Sequence, residues 1–124
     1  MSDGIDAVRR IVEGWPDMSV QDWREVCTDD VRYQNMPWDR TVTVGPDEVH
    51  RMLEGFAGRF EVGLEVHHLG VDGNAAFSER TEHFVPRPGV DGETFDLPVT
   101  GVFELRDGKV SAWRDYFDRR AMKS

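Results

Sequence analysis

Three ionisable residues carry the chemistry this sequence offers. Arg80 and Glu82 stand two positions apart, and Asp115 stands between Trp113 and Phe117 at the same two-residue spacing. Alternate side chains of an extended strand share a face. Ser78, Arg80, Glu82 and Phe84 would therefore line one side of one strand, and Trp113, Asp115 and Phe117 one side of another. A carboxylate set among aromatic rings loses solvent, which penalises its charged form and raises its pKa unless a cation compensates. Arg80 is a candidate for that cation, because one guanidinium can serve two carboxylates. Two acids held in unlike environments are how a site divides the roles of base and acid. Tyr33 and Asn35 share a face of a third run and could join the group. Each residue also has a plainer reading: a solvated ladder for Arg80 and Glu82, a strand end for Asp115, packing for Tyr33 and a turn for Asn35.

Other chemistry has less support. His50, His67, His68 and His83 do not follow a metal-ligand spacing. Cys27 falls on an apolar helix face with no nucleophile signature around it, which suits a buried, inert thiol. As the one cysteine it excludes an internal disulfide and a zinc site built from several thiolates. Gly55, Gly58 and Gly63 lack the strand–turn–helix setting of a phosphate loop.

The elements that must position these residues follow from periodicity. Ile5, Val8, Ile11, Val12 and Trp15 recur at helical spacing, and Pro16 ends that helix. Ser19, three before Asp22, caps a second short helix carrying Val20, Trp23, Val26 and Cys27. Thr28-Asp29-Asp30 reads as a turn and Val31 to Asn35 as a strand stopped by Pro37. Gly45-Pro46-Asp47-Glu48 starts a third helix, whose stripe is Val49, Met52, Leu53, Phe56 and Phe60. The period then changes to two. Val62, Leu64 and Val66 alternate with polar residues, Asp72-Gly73 marks a hairpin, and strands follow over Phe77 to Val85, Phe95 to Leu105 and Val110 to Phe117. Helices first and a meander after them mean an α+β domain, with helices covering one face of a curved sheet around a pocket.

Composition bounds the function. The 124 residues fit one domain spanning 1–124, and 39% hydrophobic with 31% charged residues is ordinary for a globular chain. The charge sum of −9, with no Lys/Arg cluster, argues against nucleic acid and against an anionic membrane surface as partners. No apolar run is long enough to span a bilayer and the first residues lack the pattern of a secretory leader, so a cytoplasmic location is the expectation.

Four segments together resemble the limonene-1,2-epoxide hydrolase family: Tyr33-Gln34-Asn35-Met36-Pro37, Ser78-Glu79-Arg80-Thr81-Glu82, Gly101-Val102-Phe103 and Trp113-Arg114-Asp115-Tyr116-Phe117-Asp118. Order and approximate spacing agree from Ile5 to Asp118, with a small insertion between Pro37 and Gly45. The resemblance implies a nuclear transport factor 2-like (SnoaL-like) cone. In it a strongly curved mixed or antiparallel sheet wraps over the helices around a deep hydrophobic pocket, and the protein is a homodimer. It also implies addition of water to an epoxide in one step, without a covalent intermediate, a metal or another cofactor. Carried over, Asp115, Asn35 and Tyr33 hold the water, with Asp115 as base. Glu82 protonates the epoxide oxygen, and Arg80 holds both acids. The family has Asp where this chain has Glu82, one methylene longer, and misplacement of about 1 Å can cost about 100-fold.

The expected substrate contacts are Phe56 and Phe60 from the third helix, with Phe84, Leu97, Val99 and Phe117 from strands. Such a wall suits a terpenoid, alicyclic or sterol-like epoxide. Two other readings stay open on the same scaffold. One is a SnoaL-like isomerase or cyclase acting on a polycyclic substrate, the other a non-catalytic module for a hydrophobic ligand.

Overall fold

The computed structural model describes residues 3–38 and 42–122. Helix α1 (Asp3–Gly14) passes into a 3₁₀ turn at Trp15–Asp17, helix α2 spans Val20–Val26, and helix α3 spans Pro46–Arg59. The strands are β1 (Cys27–Asn35), β2 (Val42–Val44), β3 (Phe60–Asp72), β4 (Ala75–Pro86), β5 (Phe95–Arg106) and β6 (Lys109–Tyr116), followed by a 3₁₀ turn at Arg119–Ala121. They form one six-stranded sheet in the order β2-β1-β6-β5-β4-β3. Its pairs are antiparallel except β1 with β6, which run parallel. No helix among the described residues is long and apolar enough to cross a membrane.

Sequence accounts for the helix ends. Ser19 Oγ accepts from the Asp22 amide at 3.1 Å while Asp22 Oδ2 accepts from the Ser19 amide at 2.9 Å. This reciprocal box satisfies two donors that a helix start leaves open. Gly45 enters α3 at φ 92°, a conformation that favours glycine, and Pro46 takes the first turn, where its missing amide costs nothing. The apolar stripe of α1 is fully buried at Val8, Ile11 and Val12. It packs with Trp23, Val31, Phe103 and Trp113 into one core between the helices and the inner face of the sheet.

Four details differ from the sequence reading. Cys27 caps α2, its amide donating to the Trp23 carbonyl, but already opens β1, and Thr28-Asp29-Asp30 belong to β1 and not to a turn. The triplet stays extended because β1 lies along β6, its polar side chains face outward, and the irregularity is absorbed by a register shift between Cys27 and Arg32. Phe60 opens β3 and at the same time caps α3, its amide donating to the Phe56 carbonyl. Its four-residue spacing from Phe56 fits a helix, but its alternation with Val62, Leu64 and Val66 fits a strand, and the strand prevails. Residues 42–44 add an edge strand that no sequence pattern announced. Finally, the sheet is not strongly curled. The β4–β5 ladder runs from Ala75↔Glu104 to Phe84↔Phe95 without a register shift, while β3–β4 shifts between Val66 and His68 and β5–β6 between Glu104 and Leu105.

Candidate active site

Strand register gathers the polar residues on the inner face. Asn35 pairs with Asp115, Asp115 with Gly101, and Gly101 with Ser78. One row thus crosses β1, β6, β5 and β4. Tyr33 and Trp113 form the next row on one side, and Arg80 and Glu82 follow Ser78 along β4 on the other. All of these polar side chains are buried: Asn35, Ser78, Arg80, Glu82 and Asp115. The family-implied residues Asp115, Arg80, Glu82, Tyr33 and Asn35 therefore meet in one place.

Arg80 uses all three of its nitrogens. Nη2 donates to Asp115 Oδ2 at 2.8 Å, Nε to Glu82 Oε2 at 3.1 Å and Nη1 to Ser78 Oγ at 3.0 Å. The second oxygen of Asp115 accepts from Trp113 Nε1 at 2.7 Å, and Glu82 Oε2 accepts again from Trp15 Nε1 at 3.0 Å. Tyr33 donates its hydroxyl to Asn35 Oδ1 at 3.0 Å. No buried side-chain polar atom among the described residues lacks a partner.

Burial sets the electrostatics. It pushes the Asp115 carboxyl up to about 6, with Arg80 opposing and the nearby Glu82 adding to the rise. Burial also works against the Arg80 charge, but Asp115 and Glu82 outweigh it and hold the guanidinium charged. The two directions are consistent, because one cation faces two acids and cannot fully offset the lost solvent of both. The Tyr33 hydroxyl is driven well above its ordinary pKa by burial and then by the Asp115 and Glu82 charges, so it stays a donor. This is an arrangement able to take a proton on Asp115 near neutrality.

A cavity of about 30 Å³ touches this group. That is room on the scale of one or two waters, not the deep pocket expected from sequence. Phe56, Phe84, Leu97, Val99 and Phe117 line it, together with Trp15, Trp38, Leu53 and Met122, which the sequence reading left out. Phe60 is not on this wall. It sits behind it, edge-on to Phe84 at 5.5 Å and to Phe95 at 5.7 Å. An open depression of about 820 Å³ adjoins the cavity, lined by Met36, Pro37, Tyr116 and Arg119 among others, and Phe117 borders both spaces. No group of three or more His, Cys, Asp or Glu residues among those described could hold a metal ion. Cys27 is buried with its thiol pushed up to about 12, so it is no nucleophile.

Sequence reasoning also missed roles for Trp15, Trp113 and Ser78. Trp113 and Ser78 could have been found, since each stands two residues from its partner on the same strand face. Trp15 gave no such signal, because 67 residues separate it from Glu82.

Comparison with known proteins decides the family. The model of the limonene-1,2-epoxide hydrolase catalytic domain matches residues 3–124. The chain belongs to this family. It is 34% identical over 90 residues to epoxide hydrolase EphG of Mycobacterium tuberculosis, a match covering 73% of this chain and 56% of the relative. The aligned part thus spans little more than half of that protein. An M. tuberculosis limonene-epoxide-hydrolase-like epoxide hydrolase superposes with a TM-score of 0.80 at 28% identity, covering 98% of this chain and 86% of that one. A SnoaL-like polyketide cyclase candidate from Jannaschia sp. CCS1 reaches the same TM-score of 0.80 at 22% identity, over 97% of this chain and 88% of its own. At that identity the likeness speaks for the fold alone.

Proposed function

We propose that this family member is an epoxide hydrolase that adds water to a hydrophobic epoxide in one step. The observation that carries the reading is Arg80 gripping Glu82 and Asp115 at once, with the Tyr33–Asn35 pair in register beside Asp115. Asp115 accepts one proton of a water whose oxygen attacks an epoxide carbon. Asn35 donates its amide to that water and Tyr33 steadies it, leaving a lone pair free for attack. As the new C–O bond forms, the strained C–O bond breaks, and Glu82 gives its proton to the departing oxygen. The product is a vicinal diol. A proton then passes from Asp115 back to Glu82 before the next turnover. Each acid–base contribution is worth about 10²–10⁴-fold. No covalent intermediate is needed, and no step calls on a metal or other cofactor.

The apolar wall of Phe56, Phe84, Leu97, Val99 and Phe117 supports a terpenoid, alicyclic or sterol-like substrate. A cavity of about 30 Å³ must widen to admit one. Phe56, Trp38, Phe117 and Met122 are only partly buried and are the side chains with room to move. A homodimer belongs to the same reading. It is supported by Phe77, Val85 and Tyr116, exposed on the outer face of the sheet, and is tested by sedimentation.

The deciding experiment is diol formation from limonene oxide, cyclohexene oxide, styrene oxide and a sterol epoxide, with Asp115→Asn alongside. Diol from the wild type, lost by about 10³-fold or more in the variant, is the expected result. No diol from any of these, in folded protein that binds them, would overturn the hydrolase reading for those substrates. It would favour an isomerase or a binding module.

A further inference from the structure

We propose that Gly101 is a positioning residue, whose missing side chain lets Arg80 cross strand β5 and hold Asp115 on the strand beyond. The consequence for turnover rests on the hydrolase reading, but the geometry does not. Arg80 lies on β4 and Asp115 on β6, with β5 between them. The β5 residue level with Asp115 is Gly101, which is level with Ser78 on its other side. The guanidinium therefore passes over the one position in that row without a side chain.

The space is already full. A Cβ built on Gly101 would lie 2.9 Å from Arg80 Nη1, 2.9 Å from Asp115 Oδ1 and 3.1 Å from a ring carbon of Phe103. The backbone there is not in the left-handed region, so conformational freedom is not the reason for glycine. Nor can the neighbours easily give way. Arg80 is 1% exposed and tied to three partners, and Phe103 is fully buried. Gly63 on the outer face makes the contrast, since a Cβ there would meet His83 at an ordinary 3.7 Å.

An added methyl would push the guanidinium off Asp115. The charged and titratable groups facing Asp115 are Arg80 and Glu82 from β4 and Tyr33 from β1. With Arg80 withdrawn, burial and Glu82 remain, so the Asp115 carboxyl titrates at higher pH and less of it is ionised at neutrality.

The test compares wild type, Gly101→Ala and Gly63→Ala by cyclohexene oxide turnover across pH and by ¹³C NMR titration of the Asp carboxyls. Gly101→Ala is expected to lower kcat/KM at pH 7 about 100-fold, as a displacement of about 1 Å would. The acid limb and the Asp115 midpoint should both move upward, while Gly63→Ala stays near wild type. An unchanged midpoint and rate in Gly101→Ala would overturn the proposal. The NMR arm reads the contact even if no epoxide turns over, so failure of the hydrolase reading is distinguishable. Thermal unfolding covers the case in which Gly101→Ala folds poorly. Adding Arg80→Ala should then cost less stability in the Gly101→Ala chain than in the wild type, and an equal cost in both would also overturn the proposal.

Discussion

On the inner face of the sheet Arg80 meets Asp115 at 2.8 Å and Glu82 at 3.1 Å, with side-chain exposures of 1%, 6% and 8%. On the outer face Arg114 meets Glu104 at 2.6 Å, with exposures of 29% and 54%, and His68 meets Glu79 at 2.8 Å, with exposures of 83% and 61%. The outer contacts are as short as the inner ones. Their consequences differ, because water competes for every outer charge and for almost none of the inner ones. Outside, His83 is raised by its bonds to Asp96 and Glu65, with burial a minor opposing influence. Inside, burial is the leading cause at Asp115 and at Tyr33. Contact length therefore does not rank these pairs; solvent does.

The largest effect should come from removing the shared inner cation. Arg80→Met leaves Asp115 and Glu82 buried without their partner, and should cost about 3–5 kcal/mol by urea unfolding at pH 8. A loss below 1 kcal/mol would mean the inner face is as well solvated as the outer. The next effect is in pH. Asp115 titrates near 6 in the folded protein against an ordinary 3.8, so the folded state binds this proton more tightly than the unfolded chain. Stability from this group is then fully present below about pH 4 and lost as pH rises through about 6, by on the order of 3 kcal/mol. Stability curves of wild type and Asp115→Asn should diverge over that window, the variant losing less. If Asp115 is the base, kcat/KM of the wild type should rise over the same interval.

Smaller still is the effect of one indole donor. Trp15→Phe keeps the ring in the core but removes a hydrogen bond to Glu82, and should slow diol formation about tenfold with little change in KM. A change confined to thermal stability would make Trp15 a packing residue only. The smallest effect belongs outside. Arg114→Gln or Glu104→Gln should shift stability by less than about 1 kcal/mol and leave turnover alone. A larger value would break the distinction between the faces.

Much of the inner face was legible from period two. Ser78, Arg80, Glu82 and Phe84 share one face of a strand and Trp113 and Asp115 one face of another, but alternation did not say which face is inward, because Phe77 and Val85 on the opposite face of β4 are apolar too. The segment resemblance then supplied the roles proposed for Tyr33 and Asn35, which strand pattern alone left as packing and turn. What stayed hidden has a common cause. Trp15 on Glu82, Gly101 under Arg80 and the narrowness of the cavity are contacts between distant parts of the chain, and depend on how deeply layers interlock. Phe60 was ambiguous for a local reason, satisfying helix and strand spacing together.

The parallel pairing of β1 with β6 bears on how the protein comes to be active. It sets Asn35 level with Asp115, 80 positions later by subtraction (115 − 35). Contacts between such remote segments form late, after the entropy of closing the intervening loop has been overcome. A nascent chain emerging from the ribosome can assemble its helices and the β3–β4 hairpin early. It cannot align Asn35 with Asp115 until β6 has been made and inserted between β1 and β5. Activity should therefore appear with the final docking step of folding rather than grow in with secondary structure.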